Sequence, residues 1–179
     1  MIVTINIQGA GVVNGAGEYA LGETVSLEAI PSSVMKFKGF LLDGVSYPSP
    51  YEFVAGSNDV TVTAEFFMPI ESFLKNSVGY PVSDEQVYAV MVKRNIPFGV
   101  DASTASKKQK ELAYADLIMV IVTTASEGST KEQMGNWSSQ KGSRVLTGKN
   151  ELIKSAKGIY TKYGESINTV IVRDASRKW

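Results

Sequence analysis

The sequence predicts an α+β protein of two domains, a small all-β module followed by an all-α half with one long polar loop or hairpin. Three observations predict it. Apolar and polar residues alternate with period two through the first part of the chain, and from Pro69 onward the apolar spacing becomes helical. Charge divides at the same place: residues 1–68 hold Lys36 and Lys38 against seven acids (−5), and the remainder holds 16 lysines and arginines against 11 acids (+5), within a chain of zero net charge. At 179 residues there is enough chain for two small domains, here 1–67 and 69–179.

In the first domain, "IVTINI" alternates so that one face is buried. "GAGVVNGAGEY" follows, with Asn14-Gly15 as a hairpin-turn signal. "TVSLEAI" (Thr24 to Ile30) alternates again and stops at Pro31, which has no N–H to give a ladder. "KFKGFLLDG" places Phe37 and Phe40 on a strand ending in an Asp-Gly turn, and "YEFVAG" and "VTVTAEFF" complete five or six strands. An open antiparallel sheet or small sandwich is the form expected. Tyr19, Phe37, Phe40, Tyr51 and Phe53 are read as core, with a protein- or carbohydrate-binding surface as the other use of such aromatics.

The stretches "GAGVVNGAGEYALGETVSLEAIPS", "FKGFLLDG" and "SPYEFVAGSNDVTVTAEF" resemble the divergent Listeria–Bacteroides (internalin B-repeat-like) module of bacterial surface proteins. Phe40 stands where that pattern commonly has tryptophan. The resemblance covers nearly all of residues 3–66 and implies a β-grasp-like or immunoglobulin-like module used for adhesion or spacing, without catalysis.

In the second domain, Pro69 fits the first position of a helix through "PIESFLKNSV", which Gly79-Tyr80-Pro81 ends. Ser83 is the next N-cap, with Gln86 as its capping-box partner, and Val87, Val90 and Met91 line one face of the helix that follows. Pro97 and Gly99 mark a loop. From about Ser103 a longer helix runs through "TASKKQKELAYADLIMVIVTTA"; its basic start is exposed and its apolar end is buried on all sides. Asp116 is the one acid among those apolar residues, so it needs a hydrogen-bond donor or an ion-pair partner. Lys107, Lys108 and Lys110 crowd the first turns, where the helix dipole disfavours cations; they form either a solvated face or a contact for an acidic partner or nucleic acid. Thr147 is an N-cap candidate for a last helix carrying Leu152, Ile153, Ala156, Ile159, Tyr160 and Tyr163, stopped by Gly164. "NTVIVR" reads as a short strand and "DASRKW" as a polar tail.

The absence of cysteine and histidine removes disulfides, zinc-thiolate sites, thiol nucleophiles and the commonest general base. "SKK" and "SSQK" are too short to carry Ser-Lys chemistry, and the chain is expected to be no enzyme and to hold no cofactor or metal. No apolar run approaches the ~18–20 residues that span a bilayer, and "MIVTINIQG" lacks the pattern of a signal peptide, which points to synthesis in the cytoplasm and no membrane partner.

"IESFLKNSVGYPVSDEQVYAVMVKRNI", "SKKQKELAYADLIMVIVT", "GSTKEQMGNWSSQKGSRVL" and "KSAKGIYTKYGE" resemble, in that order, the head–tail connector (adaptor) family of tailed bacteriophages, in the form found in phages and prophages of Bacteroides and relatives. Gly142-Ser143 stands where a glycine pair is usual. The resemblance implies a connector-type helical bundle and a virion structural protein, assembled in the bacterial cytoplasm as a homo-oligomer ring of about a dozen subunits, each with two different complementary patches. Its implied partners are the portal protein, tail or stopper proteins and DNA passing through the ring, with decoration or host-glycan binding left to the β module. A bacterial cell-surface adhesin-type binding protein is the alternative.

"QMGNWSSQKGSRVL" sits inside a polar excursion of roughly Glu127 to Thr147, long enough to suggest a functional loop or a hairpin. Trp137 either folds back over the helices or, with Asn136 and Arg144, anchors an assembly interface.

Overall fold

A computed structural model of the chain describes residues 1–127 and 148–166. The period-two segments form eight strands: β1 (Ile2–Gln8), β2 (Gly11–Asn14), β3 (Gly17–Glu18), β4 (Thr24–Pro31), β5 (Lys36–Leu42), β6 (Val45–Tyr47), β7 (Tyr51–Val54) and β8 (Val60–Phe67). They make a five-stranded sheet of order β3-β1-β8-β5-β6 and a three-stranded sheet of order β2-β4-β7. Val3, Val25, Leu27, Phe40, Val62, Ala64 and Phe66 gather from both sheets into one buried cluster. Phe37, half-buried, sets its ring 4.7 Å from that of Phe40 and 5.3 Å from that of Phe66. Tyr19, Tyr51 and Phe53 pack against the same cluster.

The sheets are not wholly antiparallel. β1 and β8 pair in parallel, from Val3 opposite Val60 to Gln8 opposite Glu65. Alternation reports which face of a strand is buried and is silent on the direction of its neighbour. Here the intervening strands supply the long crossover that a parallel pair requires.

Asn14-Gly15 does not close a hairpin. The strands on its two sides enter different sheets, β2 pairing with β4 and β3 with β1. Gly15 has φ +103°, and a Cβ there would lie 2.2 Å from the Ser26 carbonyl oxygen. The glycine is needed for a crossing between sheets at close backbone approach. Asp43-Gly44 does turn a hairpin, β5 to β6, with φ of 50° and 81° as a two-residue turn of this hand demands.

Four helices follow among the described residues: α1 (Ile70–Val78), α2 (Asp84–Lys93), α3 (Lys107–Glu127) and α4 (Lys149–Lys162). Pro69 stands one residue before the helical position expected for it; its carbonyl accepts the Phe73 N–H at 3.0 Å. It also bridges to Asp101, while Ile70 N–H reaches Val100 O at 2.9 Å and Ala102 N–H reaches Met68 O at 2.8 Å. Residues 96–106 are thereby clasped to the start of α1. The chain divides into one unit of Met1–Ser77 with Ile96–Ser106 and a second of Val78–Asn95 with the chain from Lys107 onward. This division differs from a simple cut at residue 68, because backbone hydrogen bonds tie the later loop to the earlier unit.

α2 carries the full capping box: Gln86 N–H donates to Ser83 Oγ at 3.3 Å and Ser83 N–H to Gln86 Oε1 at 3.0 Å. Val87, Val90 and Met91 are buried along it. α3 begins at Lys107, four residues later than expected. Asp101 holds the preceding turn out of the helix, its carboxylate accepting Ser103 N–H at 2.8 Å and its carbonyl the Thr104 hydroxyl at 2.7 Å. Beyond its basic start, Ala113, Ala115, Leu117 and Ile118 are fully buried, so apolar side chains surround the helix axis. The N-cap of α4 is Gly148, at φ 83° and without a side-chain cap. Thr147, the expected cap, lies outside the described residues, as do the polar excursion and the strand expected at 168–173.

Candidate functional site

The most elaborate polar arrangement among the described residues is built around Asp116. It sits in the buried middle of α3 and is 4% exposed. Arg94, the C-cap of α2, grips it with two guanidinium nitrogens, Nε to Oδ2 and Nη2 to Oδ1, the latter at 3.0 Å. Lys93 Nζ donates to Oδ1 at 2.8 Å, and the Tyr160 hydroxyl from α4 donates to the same oxygen at 2.7 Å. The remaining edge of Arg94 reaches Glu165, just past the end of α4, with Nη1 at 2.8 and 2.7 Å from the two carboxylate oxygens. The Arg94 guanidinium carbon also lies 6.0 Å from the centre of the Tyr160 ring. One carboxylate thus ties the end of α2, the middle of α3 and the end of α4.

Electrostatics follow from the geometry. Burial alone would raise the Asp116 carboxyl; hydrogen bonds from Arg94, Lys93 and Tyr160, with the charge of Arg94, outweigh it and hold the group below its ordinary range. The Arg94 guanidinium is pushed up by its hydrogen bonds to Asp116, against burial, with Glu165 adding to the effect. The Tyr160 phenol is raised by burial first and then by the hydrogen bond to Asp116. A carboxylate offers about four acceptor positions. Asp116 receives four donors, three on Oδ1 and one on Oδ2, so its charge is well compensated within the chain.

A second, more exposed cluster joins the start of α3 to the end of α4. Glu111 accepts Lys162 Nζ and the Tyr163 hydroxyl, the latter at 2.9 Å, and its carboxyl is lowered chiefly by the Lys162 hydrogen bond. Lys107 lies 3.9 Å from the same carboxylate, and Lys108 Nζ is 5.6 Å from the centre of the Tyr163 ring. Lys110 is half-buried. Glu111, one turn along α3, and the Tyr163 ring, from the end of α4, therefore meet two of the three lysines whose position on the helix dipole is unfavourable.

Asp116 is the one member of the network that sequence reasoning singled out. Lys93 and Arg94 close a helix with nothing to mark them, and Tyr160 reads as an ordinary core aromatic at helical spacing. The partners stand 22 and 44 residues from Asp116, with Glu165 71 residues from Arg94, so no local pattern links them. Asn136, Trp137 and Arg144 lie outside the described residues, so the structure neither gathers nor separates them.

Among the described residues no helix is long and apolar enough to cross a membrane, and no group of three or more carboxylates could hold a metal ion. No curated protein and no solved structure matches the chain. Residues 1–68 match the divergent InlB B-repeat domain, so the N-terminal part is similar to that family and reads as a surface or structural β module.

Proposed function

We propose that this chain is a structural virion protein: a head–tail connector subunit that forms a ring between portal and tail and carries the B-repeat-like module as decoration or as a binder of host glycans. The carrying observation is the ordered run of four segments from Ile70 to Glu165 that resembles the connector family. Three of those segments come together through Asp116, Arg94, Tyr160 and Glu165, which suits a rigid assembly subunit. The protein acts by binding, without catalysis or a cofactor; its partners are other copies of itself, portal and tail or stopper proteins, and the DNA that passes through. Its place is the virion, after assembly in the bacterial cytoplasm. In the ring, Trp137 with Asn136 and Arg144 serves as an assembly anchor, and Lys107, Lys108 and Lys110 add basic surface.

Light scattering with negative-stain imaging of the concentrated protein tests this. Closed rings of uniform size support it. Trp137→Ala sharpens the test: a stable monomer that no longer assembles assigns the tryptophan to the interface, whereas a destabilised monomer assigns it to the subunit's own core.

A second reading has one observation in its favour. The B-repeat match is to a domain of surface proteins, so a cell-surface binding protein with an appended helical unit is the alternative. Fractionation of the native host separates the two, since an adhesin travels with the envelope and a connector with phage particles.

A further inference from the structure

β6 and β7 are outer strands of different sheets. β6 pairs with β5 at one edge of the five-stranded sheet, and β7 pairs with β4 at one edge of the three-stranded sheet. Only Pro48, Ser49 and Pro50 separate them in the chain. The Ser49 hydroxyl accepts the Ala29 N–H at 2.8 Å and so ties this connection to β4. Each flanking strand places a tyrosine at its end of the connection, Tyr47 closing β6 and Tyr51 opening β7.

The two phenol rings stack, with centroids 4.2 Å apart and planes at 23°. That is closer than aromatic pairs usually sit, and it brings carbons of the two rings into van der Waals contact. The Phe53 ring stacks on Tyr51 at 5.4 Å and backs the pair. Both tyrosines pack against the core cluster yet keep part of their surface in water, within reach of a small oxidant. Burial first, and then the hydrogen bond that its hydroxyl shares with Tyr47, raise the Tyr51 phenol. The hydroxyls therefore lie at the same side of the stack, and so do the ring carbons next to them. Phenoxyl radicals join through those carbons, and a pair already held in contact couples far faster than two that must meet by diffusion.

We infer that Tyr47 and Tyr51 form a site of oxidative modification, at which a one-electron oxidant joins the two rings as dityrosine. Each phenol gives up one electron and one proton, the electrons to the oxidant and the protons to water. The two radicals form one carbon–carbon bond between a Cε atom of each ring. The hydrogens on those carbons move to the oxygens and restore both phenols, so the chain loses two hydrogen atoms in all. The product ties the edges of the two sheets together, a covalent seam in a chain that has no cysteine to make a disulfide and no thiol to quench the radicals. This site is independent of the connector reading.

Brief illumination of the dilute full chain with tris(bipyridine)ruthenium(II) and persulfate tests it, each persulfate taking two electrons and leaving as two sulfates. The expected product is a monomer lighter by two hydrogens that carries dityrosine fluorescence. Trypsin cuts after Lys38 and Lys75, and the peptide 39–75 holds these two of the chain's eight tyrosines and no other, so the bridge is expected inside that one peptide. Tyr47→Phe and Tyr51→Phe keep the ring and lose the phenol; each is expected to cut the monomer's fluorescence at least about tenfold, because coupling then has to await a distant partner. Tyr80→Phe is expected to leave it unchanged. Circular dichroism confirms that the variants are folded, and the peptide map of the wild type decides the site without them. A wild-type monomer with no bridge in 39–75 overturns the inference, whether it has none at all or one elsewhere. So does fluorescence that survives both substitutions.

Discussion

Tyr160 and Asp116, 44 residues apart on α4 and α3, share a buried hydrogen bond of 2.7 Å that makes the phenol one of four donors around a single carboxylate. Removing only the hydroxyl isolates this contact. Tyr160→Phe is expected to lower the unfolding free energy by about 1.5–3 kcal/mol, the usual worth of a hydrogen bond to a charged group. Urea denaturation measures it, and a loss below about 0.5 kcal/mol would mean that the bond adds nothing beyond ring packing.

Asp116→Asn strikes the centre of the network. It leaves Arg94, whose side chain is 10% exposed, without its buried counter-charge and facing only Glu165. A loss of about 3–5 kcal/mol is expected, because removing one partner of a buried ion pair leaves the other charge uncompensated. A double-mutant cycle with Arg94→Met should show strong coupling, the second substitution costing far less once the first is present.

Acid should act through the same residue. The folded Asp116 carboxyl titrates below its ordinary value, so its contribution is complete above the unfolded value of about 3.9 and is lost as pH falls through the lower folded one. The stability gap between wild type and Asp116→Asn is expected to stay level near neutral pH and to close below about pH 4. The alkaline limb has the opposite sign: the folded Tyr160 phenol is raised, so its contribution is full below about pH 10 and is lost above it, a loss that Tyr160→Phe should not show. Denaturant midpoints across pH read both limbs.

Two substitutions probe the β module. Phe40 is fully buried between the sheets, and Phe40→Ala is expected to cost about 3–5 kcal/mol. Gly15→Ala places a methyl group against the Ser26 carbonyl oxygen in a backbone region that alanine avoids. A clear loss of stability is expected there from a single added carbon, while the same change at Gly158, whose Cβ faces open space, should leave the monomer as stable or more so.

The capping box of α2 gives a smaller and more local test. Ser83→Ala removes the acceptor of the Gln86 N–H and is expected to cost about 1 kcal/mol. Hydrogen exchange of the first-turn amides of α2 should quicken in that variant without a matching change in β8.

Short-range chemistry made much of this architecture legible. Ser83 and Gln86 reveal a helix start because both hydrogen bonds lie within three residues. Asp43-Gly44 reveals a hairpin because both residues must take positive φ. The same logic misread Asn14-Gly15, where the positive φ of Gly15 serves a crossing between sheets, a long-range event that a dipeptide does not encode. It also began α3 at Ser103, since the side-chain turn made by Asp101 competes with the helix in a way that apolar spacing does not register. Asp116 stood out as a lone acid in an apolar run, but Arg94, Tyr160 and Glu165 became its neighbourhood only through tertiary packing.

The reading of the whole chain as a connector meets its most direct test in portal recruitment. Purified portal rings from a phage of the matching host, mixed with the full chain and separated by size, are expected to carry it as a stoichiometric ring on one face, visible as added density in negative stain. Portal rings that leave the chain in the monomer fraction, at concentrations where it is folded and soluble, would contradict that function.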